Sequence, residues 1–235
     1  MRIAVWSGPR NLSTALMYSF GNRPDMAAVD EPFYGAFLSH SGIDHPLSDV
    51  IRAEMECDAG QVPGQLRQFT APHQYEKHMV HHMLPGFPLH WMTEVRNVFL
   101  IRHPARVLAS YVEKRQSPTA ADLGFTQIEA LLARADDPVI IDSADILRAP
   151  RQMLAALCDA LGLPFDEAML SWPAGPKPFD GPWAPHWYDA VHRSTGFEGA
   201  NRPLPDVPRA HAPIYLGALA QYERMKARAL SPSQG

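Results

Sequence analysis

The stretch RIAVWSGPRNLSTALMYSF, residues 2–20, reads as strand, tight loop and helix. Ile3, Ala4, Val5 and Trp6 form an apolar run of the length a buried parallel strand uses. Ser7, Gly8 and Pro9 punctuate it as a turn. Asn11 or Ser13 offers an N-cap to a helix carrying Leu12, Ala15, Leu16, Tyr18 and Phe20. The first N–H groups of a helix lack intrahelical partners, and the dipole there favours negative charge. A loop that feeds such a start with Arg10, Ser13 and Thr14 is equipped to hold a phosphate. An ordinary β–α turn with a solvated Arg10 is the plainer alternative. The loop departs from the kinase-type G-x-x-x-x-G-K-[ST], because Ser13 and Thr14 stand where that pattern has its second Gly and its Lys.

A second stretch has the same grammar. In NVFLIRHPARVLASY, residues 97–111, Val98 to Ile101 form a continuous apolar run expected of a central parallel strand. Pro104 suits the first turn of the helix that follows. Arg102 emerges at the strand end, and Ser110 lies about two helical turns into that helix. Met26 to Val29 reads as a further short strand delivering Asp30, Glu31 and Pro32, with Gln74 to Met79 and Pro138 to Asp142 as others. Strands alternating with helices indicate an α/β protein with a mostly parallel sheet, whose chemistry sits at the carboxyl ends of the strands. Glu31 is placed there, although a cap or salt-bridge partner is an equally ordinary use of such a residue.

These segments resemble those of the PAPS-dependent sulfotransferase family, in its carbohydrate/bacterial-type branch (PAPS is 3′-phosphoadenosine 5′-phosphosulfate). Arg10-Asn11-Leu12-Ser13-Thr14 is similar to the family's basic-x-Gly-[ST]-[ST] loop for the 5′-phosphosulfate, with Leu12 in place of Gly. Arg102, Pro104 and Ser110 match its second segment, in which the Arg and a Ser eight residues on bind the 3′-phosphate. Residues 138–165 resemble its strand, acidic-Asp-Leu, Pro, helix, Leu-Gly-Leu-Pro passage. The resemblance implies a P-loop-type three-layer α/β/α fold with a helical and loop lobe. It also implies metal-independent sulfuryl transfer from PAPS to a hydroxyl or amine of a small-molecule or carbohydrate acceptor. Gly8, Pro9, Arg10, Asn11, Leu12, Ser13 and Thr14 would cradle the donor, with Arg10 facing charge on the bridging oxygen. Arg193, Ser194, Thr195 and Gly196 resemble the late loop that covers the adenosine and 3′-phosphate. Glu31, in a Glu-Pro like that of the carbohydrate-type branch, is the expected base, with His78 and His90 as substitutes. Lys77 is the residue suited to meeting anionic charge.

The rest of the chain bounds this reading. At 235 residues, 46% hydrophobic, it can bury a core as one domain, 1–235, with residues 34–70 as a helical acceptor lobe and the Pro-rich stretch 172–213 as covering loops. A net charge of −4 argues against a nucleic-acid coat. Two cysteines form no disulfide framework, and no secretory leader or membrane-length apolar run is apparent, so a cytoplasmic setting is expected. His78, His81 and His82 would share one face of a helix, yet they lack the carboxylate of an H-E-x-x-H metal motif, which favours a polar rim or acceptor contact. Two other functions fit the same fold class. One is a P-loop kinase or NTPase with Asp142 as the strand-end acid, and the other is a non-catalytic nucleotide-binding protein.

Overall fold

A computed structural model describes residues 1–112, 118–198 and 203–232. Residues 199–202 of the expected covering loops lie outside the described residues.

The chain opens with β1 (Arg2–Ser7), α1 (Ser13–Gly21) and β2 (Met26–Asp30). Three helices, α2 (Tyr34–Ser41), α3 (Ser48–Glu54) and α4 (Val62–Leu66), fill the segment expected to be a helical lobe. Then come β3 (His73–Met79), β4 (Arg96–Ile101), α5 (Pro104–Val112), α6 (Ala120–Leu123), α7 (Phe125–Leu132) and β5 (Val139–Asp142). The remainder is helical: α8 (Ser143–Arg148), α9 (Pro150–Leu161), α10 (Ala184–Trp187), α11 (Asp189–His192) and α12 (Ala212–Lys226). Among the described residues no helix is long and apolar enough to cross a membrane.

The five strands pair in parallel in the order β2-β3-β1-β4-β5. Successive side chains of a strand point to opposite faces, and the central strand β1 divides its apolar residues accordingly. Ile3 and Val5 join Leu16 and Phe20 of α1 and Met153, Leu154 and Leu157 of α9 in one core. Ala4 and Trp6 join Val107 of α5, Ile128 of α7 and Tyr222 of α12 in the other. Helices thus cover both faces of the sheet, which is why β1, β4 and β5 carry continuous apolar runs.

This order creates a switch point. The connection leaving β1 runs through α1 on one face, whereas that leaving β4 runs through α5 on the other. The two loops diverge from neighbouring strand ends and leave a crevice between them, where open α/β sheets bind ligands.

One buried polar group lies beneath the sheet. Arg2 donates from Nε to Glu76 at 2.6 Å and from Nη2 at 3.1 Å, and His78 bonds the same carboxylate at 3.2 Å. His78 is stacked on Trp6, with ring centroids 4.4 Å apart. Burial pushes the Glu76 carboxyl up, but the hydrogen bonds and charges of His78 and Arg2 outweigh it and hold the group below the usual carboxylate range. Its stabilisation is therefore complete above that range and is lost as the pH falls through it. Removing one member of a buried pair leaves an uncompensated charge, so Arg2→Met should cost about 3–5 kcal/mol in urea unfolding at pH 7. The gap between wild type and the variant should narrow below about pH 4; a gap independent of pH would contradict this assignment.

Candidate functional site

A cavity of about 690 Å³ opens at the carboxyl edge of the sheet. Its lining joins residues 9–15 after β1, Glu31 after β2, Lys77 and Met79 at the end of β3, Arg102 after β4, and Ser110 and Tyr111 of α5. The structure therefore gathers Arg10, Ser13, Thr14, Arg102 and Ser110 on one wall, together with Pro9, Asn11 and Leu12.

That wall is held by local geometry. Leu12 is the N-cap residue of α1, with φ 73° and ψ 10°, the left-handed conformation that glycine adopts without penalty. Arg10 is left-handed as well, at φ 64°. Each costs roughly 1–2 kcal/mol for a residue with a Cβ, and such strain clusters at functional sites. The expected cap by Asn11 or Ser13 is absent: Leu12 is the N-cap, and it makes no side-chain cap hydrogen bond. Asn11 instead donates from Nδ2 to the Leu100 carbonyl at 3.2 Å, tying the loop to β4. The start of α1 is left open to an outside acceptor. Gly8 does not line the cavity. A Cβ there would lie 2.9 Å from the Leu123 carbonyl oxygen, so this position serves the close approach of the loop to residues 123–124.

The two arginine segments interlock. Arg102 donates from Nη1 to the Arg10 carbonyl at 2.5 Å, and Arg10 donates from Nε to Ser110 Oγ at 2.8 Å. No carboxylate among the described residues forms a salt bridge with either guanidinium. Burial, and then the like charges of Arg106 and Arg10, push the Arg102 group below the usual arginine range. Arginines with no salt-bridged carboxylate among the described residues favour an anionic ligand.

Farther along the cavity lies a second charged group. Lys77 is 1% exposed, and its ammonium bonds Asp30 at 2.9 Å, Tyr188 Oη at 2.6 Å, and Glu31. Lysine has three N–H donors, and all are engaged. The expectation that Lys77 meets incoming anionic charge is corrected here, since two carboxylates already answer it. Burial works against its charged form, yet Asp30 and Glu31 more than reverse this and raise its pKa above the usual lysine range. Glu31, at φ 44°, begins the turn after β2 and its N–H donates to the Lys77 carbonyl at 2.9 Å. Burial pushes its carboxyl up to about 7, against the pull of Lys77. Tyr34, His82, Trp183 and Tyr188 complete this part of the lining. His82 stacks on Tyr34 at 4.3 Å between centroids.

Several expected residues lie elsewhere. Of the late loop, Ser194 and Gly196 line the cavity, but Arg193 and Thr195 do not; Arg193 pairs with Asp189 at 2.5 Å on the exposed surface. His78 belongs to β3 and faces Trp6, while His81 and His82 sit in the turn beyond, so the three share no helix face. Neither His78 nor His90 reaches the cavity as a substitute base. Asp142 caps α8 through the Ala144 N–H at 2.8 Å and accepts from Tyr222 at 2.6 Å and Lys226 at 3.1 Å. It is buried away from the cavity, which removes the support for a kinase-type reading. Sequence reasoning missed Asp30, Trp183 and Tyr188 as site residues. Asp30 was legible as the strand-end neighbour of Glu31, but nothing in the sequence attaches Tyr188 to Lys77 across 111 positions.

Residues 1–229 match the family described as Sulfotransferase domain. Among solved structures, the sulfotransferase domain from the curacin biosynthetic pathway shares the fold at TM-score 0.61 and 17% identity, covering 94% of this chain and 96% of that one. The corresponding domain of the Synechococcus PCC 7002 olefin synthase does so at 0.56 and 19%, covering 95% and 94%. At the sequence level, branched-chain-amino-acid aminotransferase-like protein 2 of Arabidopsis thaliana is 37% identical over 95% of this chain. The chain spans only 41% of the length of that relative.

The unopposed arginines generate a prediction that needs no knowledge of the reaction. Inorganic sulfate or phosphate should raise the thermal midpoint. Arg102→Ala should weaken that binding by about 1.5–3 kcal/mol, the range of a charge-assisted hydrogen bond. Unchanged anion affinity by titration calorimetry would remove Arg102 from the site.

Proposed function

This chain belongs to the sulfotransferase domain family, and from that premise we propose that it transfers a sulfuryl group from PAPS to a hydroxyl or amine of a small-molecule or carbohydrate acceptor. The observation that carries the reading is the convergence of Arg10, Arg102 and Ser110, with an uncapped helix start, in the cavity that also holds Glu31. Two arginines with no salt-bridged carboxylate among the described residues suit a ligand with more than one anionic group, and the 5′ and 3′ groups of PAPS provide them. The N–H groups at the start of α1, with Ser13 and Thr14, take the 5′-phosphate side. Arg102 and Ser110 take the 3′-phosphate. Their direct contact with the Arg10 segment makes this one continuous anion site.

Sulfuryl transfer requires alignment and positive charge on the oxygen being released. As the acceptor oxygen forms its bond to sulfur, the bond from sulfur to the bridging oxygen of the donor breaks and PAP departs. Arg10 meets the charge that develops on that oxygen. The acceptor's proton passes to Glu31, whose carboxyl near 7 lies in the range useful to a base at neutral pH. Lys77 holds that carboxylate in place.

Three measurements test the reading. PAP should stabilise the protein against heat without metal and more strongly than ATP–Mg²⁺; the reverse order would favour a kinase. Glu31→Gln should lower kcat by about 10²–10⁴-fold, and wild-type activity should rise with pH through about 7, as the carboxyl loses its proton. Arg10→Ala should lower kcat more than it raises the KM for PAPS; an effect on KM alone would strip it of a catalytic role.

A further inference from the structure

We infer that Tyr188, on the segment covering the cavity, is a positioning residue that sets the proton affinity of Glu31 by directing the Lys77 ammonium, an inference that rests on the reading of Glu31 as the base. The phenol joins three elements. Its O–H donates to Asp30 Oδ2 at 2.7 Å, and its oxygen accepts from Lys77 Nζ at 2.6 Å and from Trp183 Nε1 at 3.1 Å. A hydroxyl has one proton and two lone pairs, so this one is saturated and its orientation is fixed. With Asp30 and Tyr188 taking two of the three N–H groups of Lys77, the third is left for Glu31.

The segment carrying the phenol is itself anchored. Gly181 N–H donates to Asp30 Oδ2 at 3.2 Å, and Asp180 accepts from Tyr18 of α1 at 2.7 Å. Tyr188 lies between α10 and α11, and Trp183 just before α10 packs edge-on against Tyr34 at 4.9 Å. The cover over the cavity is thereby wired to the acid group inside it.

Glu31 is faced by Asp30 at the end of β2, Lys77 of β3, His82 of the turn beyond β3 with Nδ1 3.8 Å from Oε2, Tyr34 of α2, and Tyr188. Within this set Tyr188 and Asp30 act in opposite senses. Loss of the phenol hydroxyl takes an acceptor from Lys77, a donor from Asp30 and a polar neighbour that favours the ionised form of Glu31. The ammonium then shifts toward Asp30, and Glu31 holds its proton more tightly. Neutralising Asp30 removes a negative neighbour and leaves the ammonium to Glu31, which then gives up its proton more readily.

The test is a ¹³C NMR titration of the Glu31 carboxyl in the full chain, assigned with Glu31→Gln, alongside the pH profile of kcat/KM. In Tyr188→Phe the midpoint should rise by about one pH unit, and in Asp30→Asn it should fall by a similar amount. The ascending limb of kcat/KM should follow each. PAP affinity should stay unchanged in Tyr188→Phe, because the arginine wall is untouched. A merely structural Tyr188 would lower the thermal midpoint without moving the Glu31 titration, and that outcome, or a downward shift, overturns the inference. Should Asp30→Asn fail to fold, the direction of the shift in Tyr188→Phe is sufficient to support or overturn it. If the titrations move as expected while kcat/KM does not follow, Tyr188 keeps its positioning role and Glu31 loses its place as the base.

Discussion

The hydrogen bond from the Arg102 guanidinium to the Arg10 carbonyl holds together two loops that leave the sheet in opposite directions. Without such a tie, the crevice between β1 and β4 would be only a gap between diverging helices. With it, two positive side chains and a helix start share one wall, and no carboxylate among the described residues forms a salt bridge with either guanidinium. The backbone strain at Arg10 and Leu12 belongs to the same arrangement. Both residues adopt conformations that a Cβ disfavours, in a loop that lines the cavity.

The second charged group follows the opposite rule. Lys77, Asp30, Glu31 and Tyr188 are buried, and each polar atom of the lysine and the phenol has a partner. Burial in a low-dielectric setting makes an unpaired charge costly, and one ammonium is shared here between two carboxylates. One of them can therefore retain a proton near neutrality, a property suited to proton transfer. The cavity thus joins a wall carrying two arginines to a buried group in which one ammonium is shared by two carboxylates.

Several residues could not be placed from sequence, for identifiable reasons. Lys77 reads as an anion contact because a lysine beside histidines has no visible partner. Its partners come from β2 and from the covering segment. His78 and its neighbours suggest one face of a helix, but β-strand pairing turns His78 away, under Trp6. Leu12 departs from the glycine of the family pattern, yet the chain holds it in the conformation a glycine would take. Arg193 matches a family loop by composition and is drawn off by Asp189 one helical turn earlier.

The apolar runs at residues 3–6 and 98–101, each ending in a turn, an arginine and a hydroxyl-bearing helix, determined the α/β fold and marked the two arginine-bearing segments at its strand ends by local rules of periodicity and helix termini. Glu31 was marked by its place at a strand end. Tertiary structure alone decided which of these groups touch. The strand order brings β1 beside β4 and so Arg10 to Ser110, and the covering segment returns Tyr188 to Lys77. Contacts across about a hundred residues or more depend on the packing of the whole sheet, and local sequence carries no record of them.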